Sequence, residues 1–319
     1  MTGRTPVRPL RLIEDTTEYM ALDRDDVLGL DGEAFLVRLT EKEKRFGLAG
    51  EPKFWVKRVV SLTSGRTHIV KMVFEEVFRA RVGPLEVICR RDPAKEARVL
   101  EQFRDDVRIM DGRSAHDCRG NLVRILDFIP GQDLINHLLP LAADHEAYFH
   151  ATFPAVAAAV IGSLDAVAAV HAAGMTHGDI RNDHILVEDG TGAFRWIDFD
   201  VAEDTPAYDV WSVGNVLHFV VGGGFVLFQE AIARRPELAG RFTDGDASVF
   251  FPNRVMNLRK VYPYVPDDLN RVLLRFAVGG PARYDRVDQI VADLAACASA
   301  RGWQLPRFGS VPPAPVGVA

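Results

Sequence analysis

Two short stretches decide the fold of this chain: His177-Gly178-Asp179-Ile180-Arg181-Asn182-Asp183-His184 and, a little later, Ile197-Asp198-Phe199-Asp200. Between them lie two apolar runs, Ile185 to Glu188 and Phe194 to Phe199, joined by the turn-forming residues Asp189 to Gly192. Short apolar runs bounded by Gly and Asp are typical of strands. The segment therefore predicts a loop, strand, turn and strand in succession.

The residues before this segment are predominantly strand-like. Phe54 to Ser61 and His68 to Phe74 are rich in valine and aromatic residues and predict a β-hairpin. Asp92-Pro93 supplies an N-cap and a first-turn proline for a predicted helix from Ala94 to Phe103. A further strand, Leu122 to Phe128, is ended by Pro130-Gly131.

Helical patterns follow Gly131 and surround the opening segment. Predicted helices cover Ala155 to Ala173, Tyr208 to Val221, Asp267 to Ala277 and Tyr284 to Arg301. We therefore predict an α+β fold of two lobes, a small antiparallel β-rich N-lobe and a mainly helical C-lobe. The predicted boundaries are a lead-in at 1–33, the N-lobe at 34–130, the C-lobe at 131–308 and a disordered tail at 309–319.

Composition narrows the class of protein. A length of 319 residues favours two cooperating lobes, and the net charge of −6 gives no general affinity for nucleic acid or an anionic membrane. The three cysteines, Cys89, Cys118 and Cys297, fit neither a disulfide framework nor a zinc site. With no apolar signal segment near Met1, reduced thiols in the cytoplasm are the expectation.

The two opening stretches resemble motifs of the protein kinase-like superfamily, and the resemblance covers roughly Phe54 to Arg301. It implies that Asp179 is the catalytic-loop aspartate and that Arg181 faces the transferred phosphate. It also implies that Asp198 binds magnesium, as in the DFG segment of that family. ATP and Mg²⁺, or Mn²⁺, are the implied cofactors.

In the first lobe, Ile69-Val70-Lys71 resembles the strand that carries the nucleotide-binding lysine of the family. Glu96, Leu100 and Phe103 share one helix face, and the apolar pair makes that face the buried one. A buried glutamate requires a cationic partner, for which Lys71 is the candidate. Glu101, on the opposite side of the helix, is the alternative to Glu96.

Two further segments resemble family features. The stretch from Leu126 to Gly131 resembles the hinge that binds the adenine edge, which makes the backbone groups of Asp127 and Ile129 candidates for nucleotide binding. The helix that begins near Tyr208 resembles the central buried helix of the family. There Asp209 is expected to accept hydrogen bonds from the backbone of the catalytic loop.

The metal-binding part of the pattern departs from the family at two positions. His184 stands where the family has a metal-binding asparagine, and an imidazole suits Mg²⁺ poorly. His184 is therefore either a metal ligand or a hydrogen-bonding group that orients Asp198. Asp200 replaces the glycine of the DFG segment and is either a second metal-binding carboxylate or a surface aspartate.

The nucleotide loop and the activation segment depart as well. No GxGxxG motif is present; Gly47-Leu48-Ala49-Gly50 is the best substitute and Gly29-Leu30-Asp31-Gly32 the other. Asp209 follows Asp198 too closely for the family's activation segment, so a conventional peptide-binding platform and phosphorylation switching are not expected.

The chain thus resembles an atypical, bacterial-type kinase with features of aminoglycoside and choline kinases. The expected function is ATP-dependent phosphoryl transfer to a hydroxyl acceptor, in the manner of Ser/Thr protein kinases. A small-molecule kinase of the aminoglycoside or choline type is one alternative. The other is a pseudokinase, a nucleotide-binding or scaffolding module without transfer.

Overall fold

A computed structural model describes residues 10–43, 50–82, 85–203 and 207–304. The strands, numbered along the chain, are β1 (Leu12–Ile13), β2 (Val27–Leu30), β3 (Glu33–Glu43), β4 (Glu51–Ser61), β5 (Thr67–Lys71), β6 (Val77–Val82), β7 (Leu85–Arg91), β8 (Gly112–His116), β9 (Leu122–Asp127), β10 (Gly131–Asp133), β11 (Ile185–Glu188), β12 (Phe194–Trp196) and β13 (Val201–Glu203). The helices are α1 (Pro93–Gln102), α2 (Leu134–Leu141), α3 (His145–Ala147), α4 (Phe153–Ala172), α5 (Ala207–Gly222), α6 (Phe228–Arg234), α7 (Leu258–Val261), α8 (Asp267–Leu274) and α9 (Val287–Ser299).

The chain divides into two compact units. Unit 1 comprises 1–76, 91–105 and 110–129, and unit 2 comprises 77–90, 106–109 and 130–319. Unit 1 is built on a sheet and unit 2 mainly on helices, so the predicted α+β class is confirmed. The predicted tail at 309–319 lies outside the described residues.

Unit 1 is a seven-stranded sheet in the order β1-β2-β3-β4-β5-β9-β8, with α1 as its long helix. Apart from the parallel pair β1–β2, the neighbouring strands run antiparallel. The predicted hairpin is formed by β4 and β5. Asp92 caps α1, since its Oδ1 accepts the Lys95 N–H at 3.0 Å. The buried core consists of Leu22, Leu28, Leu30, Phe35, Val37, Val59, Val70, Met72, Ala115, Val123 and Ile125.

Within the stretch predicted as a loose lead-in, the described residues 12–13 and 27–30 are strands of this sheet. Leu28 and Leu30 of β2 belong to the core. Asp26 is also fully buried, and the Arg11 guanidinium lies 2.7 Å from its Oδ2. From the sequence alone, a buried carboxylate with a cationic partner cannot be distinguished from an exposed polar residue. The strand next to it is therefore easily missed.

Unit 2 is organised around α4, which packs mainly against α9. The apolar stretch His145–Ala172, which includes α4, is long and apolar enough to cross a membrane, but 67% of its most apolar window is buried inside the protein. Ser163 on α4 accepts a hydrogen bond from the Trp196 indole N–H through its carbonyl, at 2.9 Å. This bond attaches the β10-β11-β12 sheet to the helical core.

A second difference from the predicted boundaries concerns β6 and β7. Residues 77–90 lie within the stretch assigned to the N-lobe, yet they belong to unit 2. There they form a three-stranded sheet in the order β13-β7-β6. Pairing between strands so far apart in the sequence leaves no local pattern from which it could be predicted.

Candidate active site

In unit 1, Lys71 and Glu96 form a buried ion pair. Lys71 is the last residue of β5 and Glu96 lies in the first turns of α1. Lys71 Nζ is 2.7 Å from Glu96 Oε1, and the Glu96 side chain is completely buried. The contact expected from the helix pattern is therefore present, whereas Glu101 is exposed. The role of the pair in nucleotide binding stays a prediction.

Glu96 has a second cationic partner, Arg124, which the sequence analysis missed. Arg124 Nε lies 3.1 Å from Glu96 Oε2, and its Nη1 donates to the Met72 carbonyl at 3.2 Å. Strand register places Arg124 directly opposite Lys71. An arginine inside the apolar strand Leu122–Asp127 was the available indication, because a buried guanidinium requires an anion.

In unit 2, Asp209 fixes the backbone of the predicted catalytic loop. Its carboxylate accepts the His177 N–H at 2.6 Å and the Gly178 N–H at 2.8 Å. The His171 side chain lies 2.8 Å from the same carboxylate through Nε2. Burial acts to raise the pKa of Asp209, but these hydrogen bonds and the neighbouring histidines hold it below its ordinary value. Asp209 therefore stays ionised and holds the loop that carries Asp179.

The loop has glycine at position 178 for a steric reason. Gly178 has φ +84°, and a Cβ at this position would lie 1.8 Å from the Val201 carbonyl oxygen. Any side chain here would displace β13, because the obstructing atom belongs to the backbone. The glycine between His177 and Asp179 is thus a consequence of how closely β13 approaches the loop.

Asp179, His184 and Asp198 form a chain of contacts in unit 2. His184 Nδ1 lies 2.8 Å from the Asp179 carbonyl oxygen and 3.6 Å from its Oδ2. His184 Nε2 lies 3.4 Å from Asp198 Oδ2. One buried imidazole therefore bridges the two aspartates that the sequence singles out.

The tautomer of His184 follows from these contacts. A carbonyl oxygen only accepts, so Nδ1 carries a proton and donates to Asp179. If His184 is neutral, Nε2 directs a lone pair towards the Asp198 carboxylate; if it is protonated, Nε2–H donates to that carboxylate. The neutral form leaves two electron-rich groups facing one another, which is the arrangement of metal ligands whose imidazole is oriented by a backbone carbonyl.

The backbone at Asp198 is unusual. Its φ of +68° lies in the left-handed region, and Asp198 is one of three non-glycine residues with positive φ among the described residues. Such a conformation costs on the order of 1 kcal/mol and is concentrated at functional sites. The residue with this backbone conformation is the one whose carboxylate lies beside His184.

Arg181 is held by a carboxylate of its own loop. Its Nε and Nη2 bind Asp183 at 2.9 and 2.5 Å, and Nη1 lies 3.8 Å from Asp179 Oδ2. Burial acts to raise the pKa of Asp183, while His184 and Arg181 keep it below its ordinary value. The guanidinium is thus fixed beside Asp179, and its predicted contact with a phosphate stays a prediction.

The donor set fits one divalent cation of the kind that nucleotides carry. Across the described residues, no three His, Cys, Asp or Glu side chains come together as a metal-binding group. Mg²⁺ retains several waters and is commonly held by one or two carboxylates with substrate phosphates, so Asp198 is sufficient on the protein side. Asp200 is buried and is not brought into such a group.

The predicted hinge is only partly available for adenine. The Asp127 N–H donates to the Asp111 carbonyl at 2.9 Å, and the Asp127 carboxylate contacts His68 and Arg66. The backbone of Ile129 forms no hydrogen bond with the described residues, so it is the better candidate.

Of the two glycine-rich segments proposed as substitutes for the nucleotide loop, Gly47 to Ala49 of the first lie outside the described residues. Asp31-Gly32 forms the tight turn between β2 and β3, which leaves that segment a structural role.

Comparisons with known proteins find structures but no sequence family. No protein-family model and no curated protein matches the chain. The chain is similar to the Mycobacterium tuberculosis PknI kinase domain, with a TM-score of 0.46 and 14% identity over 82% of this chain and 95% of that one. It is also similar to Rad53 1–466 in complex with AMP-PNP, with a TM-score of 0.47 and 16% identity over 81% of this chain and 64% of that one. The chain therefore spans just under two thirds of the Rad53 chain.

The ion-pair cluster in unit 1 gives a first prediction. Glu96→Gln removes the carboxylate that pairs with the buried Lys71 and Arg124 and should lower the free energy of unfolding by about 3–5 kcal/mol. Glu101→Gln, an exposed change of the same chemistry on the same helix, should alter it by less than about 0.5 kcal/mol. Denaturant unfolding measures both; equal effects would show that the cluster does not stabilise unit 1.

A second prediction concerns the loop in unit 2. Gly178→Ala should destabilise the protein by about 1–3 kcal/mol, because it adds a backbone clash to a left-handed conformation. Gly190→Ala is the matched control, since Gly190 has φ +78° but open space at its Cβ position. Thermal unfolding of both variants isolates the clash. A Gly178→Ala variant no less stable than Gly190→Ala would contradict the close approach of Val201.

Proposed function

We propose that this protein is an ATP-dependent phosphotransferase that transfers the γ-phosphoryl group to a hydroxyl acceptor. The observation that carries the proposal is the Asp179–His184–Asp198 chain, in which one imidazole contacts both aspartates. Phosphoryl transfer requires one carboxylate that orients the acceptor hydroxyl and another that holds the nucleotide's cation. Asp179 and Asp198 suit these two tasks, and the loop that carries Asp179 is fixed by Asp209.

The proposed reaction uses each residue for one task. The acceptor oxygen bonds to the γ-phosphorus, the bond between that phosphorus and the β–γ bridging oxygen breaks, and Asp179 takes the hydroxyl proton. Arg181 lies close enough to Asp179 to hold negative charge that develops on the phosphoryl oxygens. A cation held by Asp198 neutralises charge on the nucleotide phosphates when it is bound.

Unit 1 contributes the nucleotide-binding residues of the proposal. Lys71, fixed by Glu96, is suited to pair with nucleotide phosphates, because a lysine already oriented by a buried carboxylate loses little freedom on binding. The backbone of Ile129 is suited to the adenine edge. The family resemblance of these residues supports the assignment.

The test is transfer of radiolabel from γ-labelled ATP in the presence of Mg²⁺ or Mn²⁺. Asp179→Asn should reduce the rate of label incorporation into protein by about 10²–10⁴-fold, because the proton acceptor is lost. Asp189→Asn, an isosteric change at the exposed β11–β12 turn, should leave the rate unchanged.

The other outcomes separate the competing functions. Hydrolysis of ATP without incorporation into protein would indicate a small-molecule acceptor. Nucleotide binding without any turnover would overturn the proposal in favour of a pseudokinase, which the histidine at position 184 also fits.

A further inference from the structure

The β6–β7 hairpin lies, in the sequence, between Lys71 and α1, but in the fold it is part of unit 2. It pairs with β13, the strand that directly follows Asp198-Phe199-Asp200. The inner face of the hairpin is apolar: Val87 and Cys89 are buried against Val201, with Phe78 and Trp211 packed on the same cluster. These contacts attach the hairpin firmly to unit 2.

The outer face of the hairpin has the opposite character. Strand register places Val77 opposite Arg90, Arg79 opposite Ile88 and Arg81 opposite Glu86. All six side chains are exposed, including 62% of Val77 and 44% of Ile88. We call these six residues the outer hairpin face.

The outer hairpin face is basic on an acidic protein. It carries three arginines against one glutamate, whereas the whole chain has a net charge of −6. Glu86 is engaged by Arg79 at 2.7 Å. The side chains of Arg81 and Arg90 form no ion pair with any described residue. Two cations therefore remain for an anionic partner.

The face also borders a free sheet edge. β6 is the last strand of its sheet, and no described strand pairs with its other side. An edge strand presents unpaired backbone groups to which an extended segment can add. Arginines along that edge repel a basic strand and attract an acidic one, so the edge selects its partner by charge.

This surface is connected to the catalytic loop through β13. The Val201 carbonyl abuts Gly178, the residue before Asp179. Glu203 at the other end of β13 accepts the Thr176 hydroxyl at 3.1 Å. The strand that anchors the hairpin therefore also contacts the loop that carries the proposed catalytic aspartate.

We propose that the outer hairpin face and the β6 edge bind an extended acidic segment of a protein acceptor. This inference rests on the proposed function, because it specifies the acceptor class of that reaction. In this proposal the hairpin supplies the acceptor-binding surface and recognises glutamate or aspartate side chains alternating along an added strand.

The test measures the binding of labelled peptides to the full chain by fluorescence anisotropy without ATP. A peptide of alternating glutamate and threonine should bind, and its lysine–threonine counterpart should not. Arg79→Glu/Arg81→Glu should weaken binding of the acidic peptide at least about tenfold. The control, Arg234→Glu/Arg241→Glu, makes the same change in net charge at exposed positions on α6 and beyond and should weaken it less than about twofold.

Strand addition is tested separately from charge. An acidic peptide with N-methyl groups on alternate backbone nitrogens loses its ladder donors and should bind at least about tenfold more weakly. Equal weakening by the two double variants, equal binding of the N-methylated peptide, or preferential binding of single-stranded DNA or anionic vesicles would each overturn the proposal. Because binding is measured without ATP, peptide binding by a protein that shows no ATP turnover would contradict the proposed function and leave the docking surface standing.

Discussion

The arrangement of unit 2 depends on one buried carboxylate, that of Asp209. An ionised carboxylate without partners costs several kcal/mol inside a protein, so a fully buried one must be surrounded by donors. Two of these donors are the backbone N–H groups of His177 and Gly178. Donating both N–H groups to one carboxylate restricts the conformation of the loop and fixes the start of the segment that carries Asp179. The His184 contact with the Asp179 carbonyl then extends this order towards Asp198.

Unit 1 also depends on a buried carboxylate that is satisfied by its neighbours, and here the neighbours are two cations. Glu96 is a single buried anion between two buried cations, Lys71 and Arg124, which register places opposite each other on neighbouring strands. Like charges in direct cross-strand contact repel, and α1 offsets this repulsion by placing the Glu96 carboxylate against both cations. The N-cap at Asp92 sets where α1 begins and thereby where Glu96 lies.

The sequence predicts these features to the extent that they are local. The Asp92-Pro93 start of α1, the inward face that contains Glu96, and the strand–turn–strand after His184 all follow from spacing of a few residues. Features that arise from distant pairing could not be predicted. Nothing near Val77 indicates that the hairpin joins β13, and nothing near Asp127 indicates that its N–H is taken by Asp111. Asp26 is a further example. Its partner Arg11 is identified only in the fold, so the sequence around it indicated a polar lead-in rather than a core strand.

Contacts within unit 2 give physical reasons for the residues at which the sequence departs from the kinase pattern. Residue 178 is glycine because the Val201 carbonyl occupies the space that a side chain would need. His184 replaces an amide but still joins the two aspartates, because an imidazole has two nitrogens on opposite sides of one ring. The residues after Asp198 lead directly into β13, which pairs with β7 of the hairpin.

The central claim is that Asp198, with His184 beside it, holds the cation of a bound nucleotide. Electron paramagnetic resonance of Mn²⁺ measures this directly, because the signal of free Mn²⁺ falls when the ion is bound. The account predicts that the full chain binds Mn²⁺ tightly only when a non-hydrolysable ATP analogue is present. Asp198→Ala should abolish that nucleotide-dependent binding, and Asp189→Ala should leave it intact. Binding of Mn²⁺ that is independent of nucleotide, or that survives Asp198→Ala unchanged, would contradict the account.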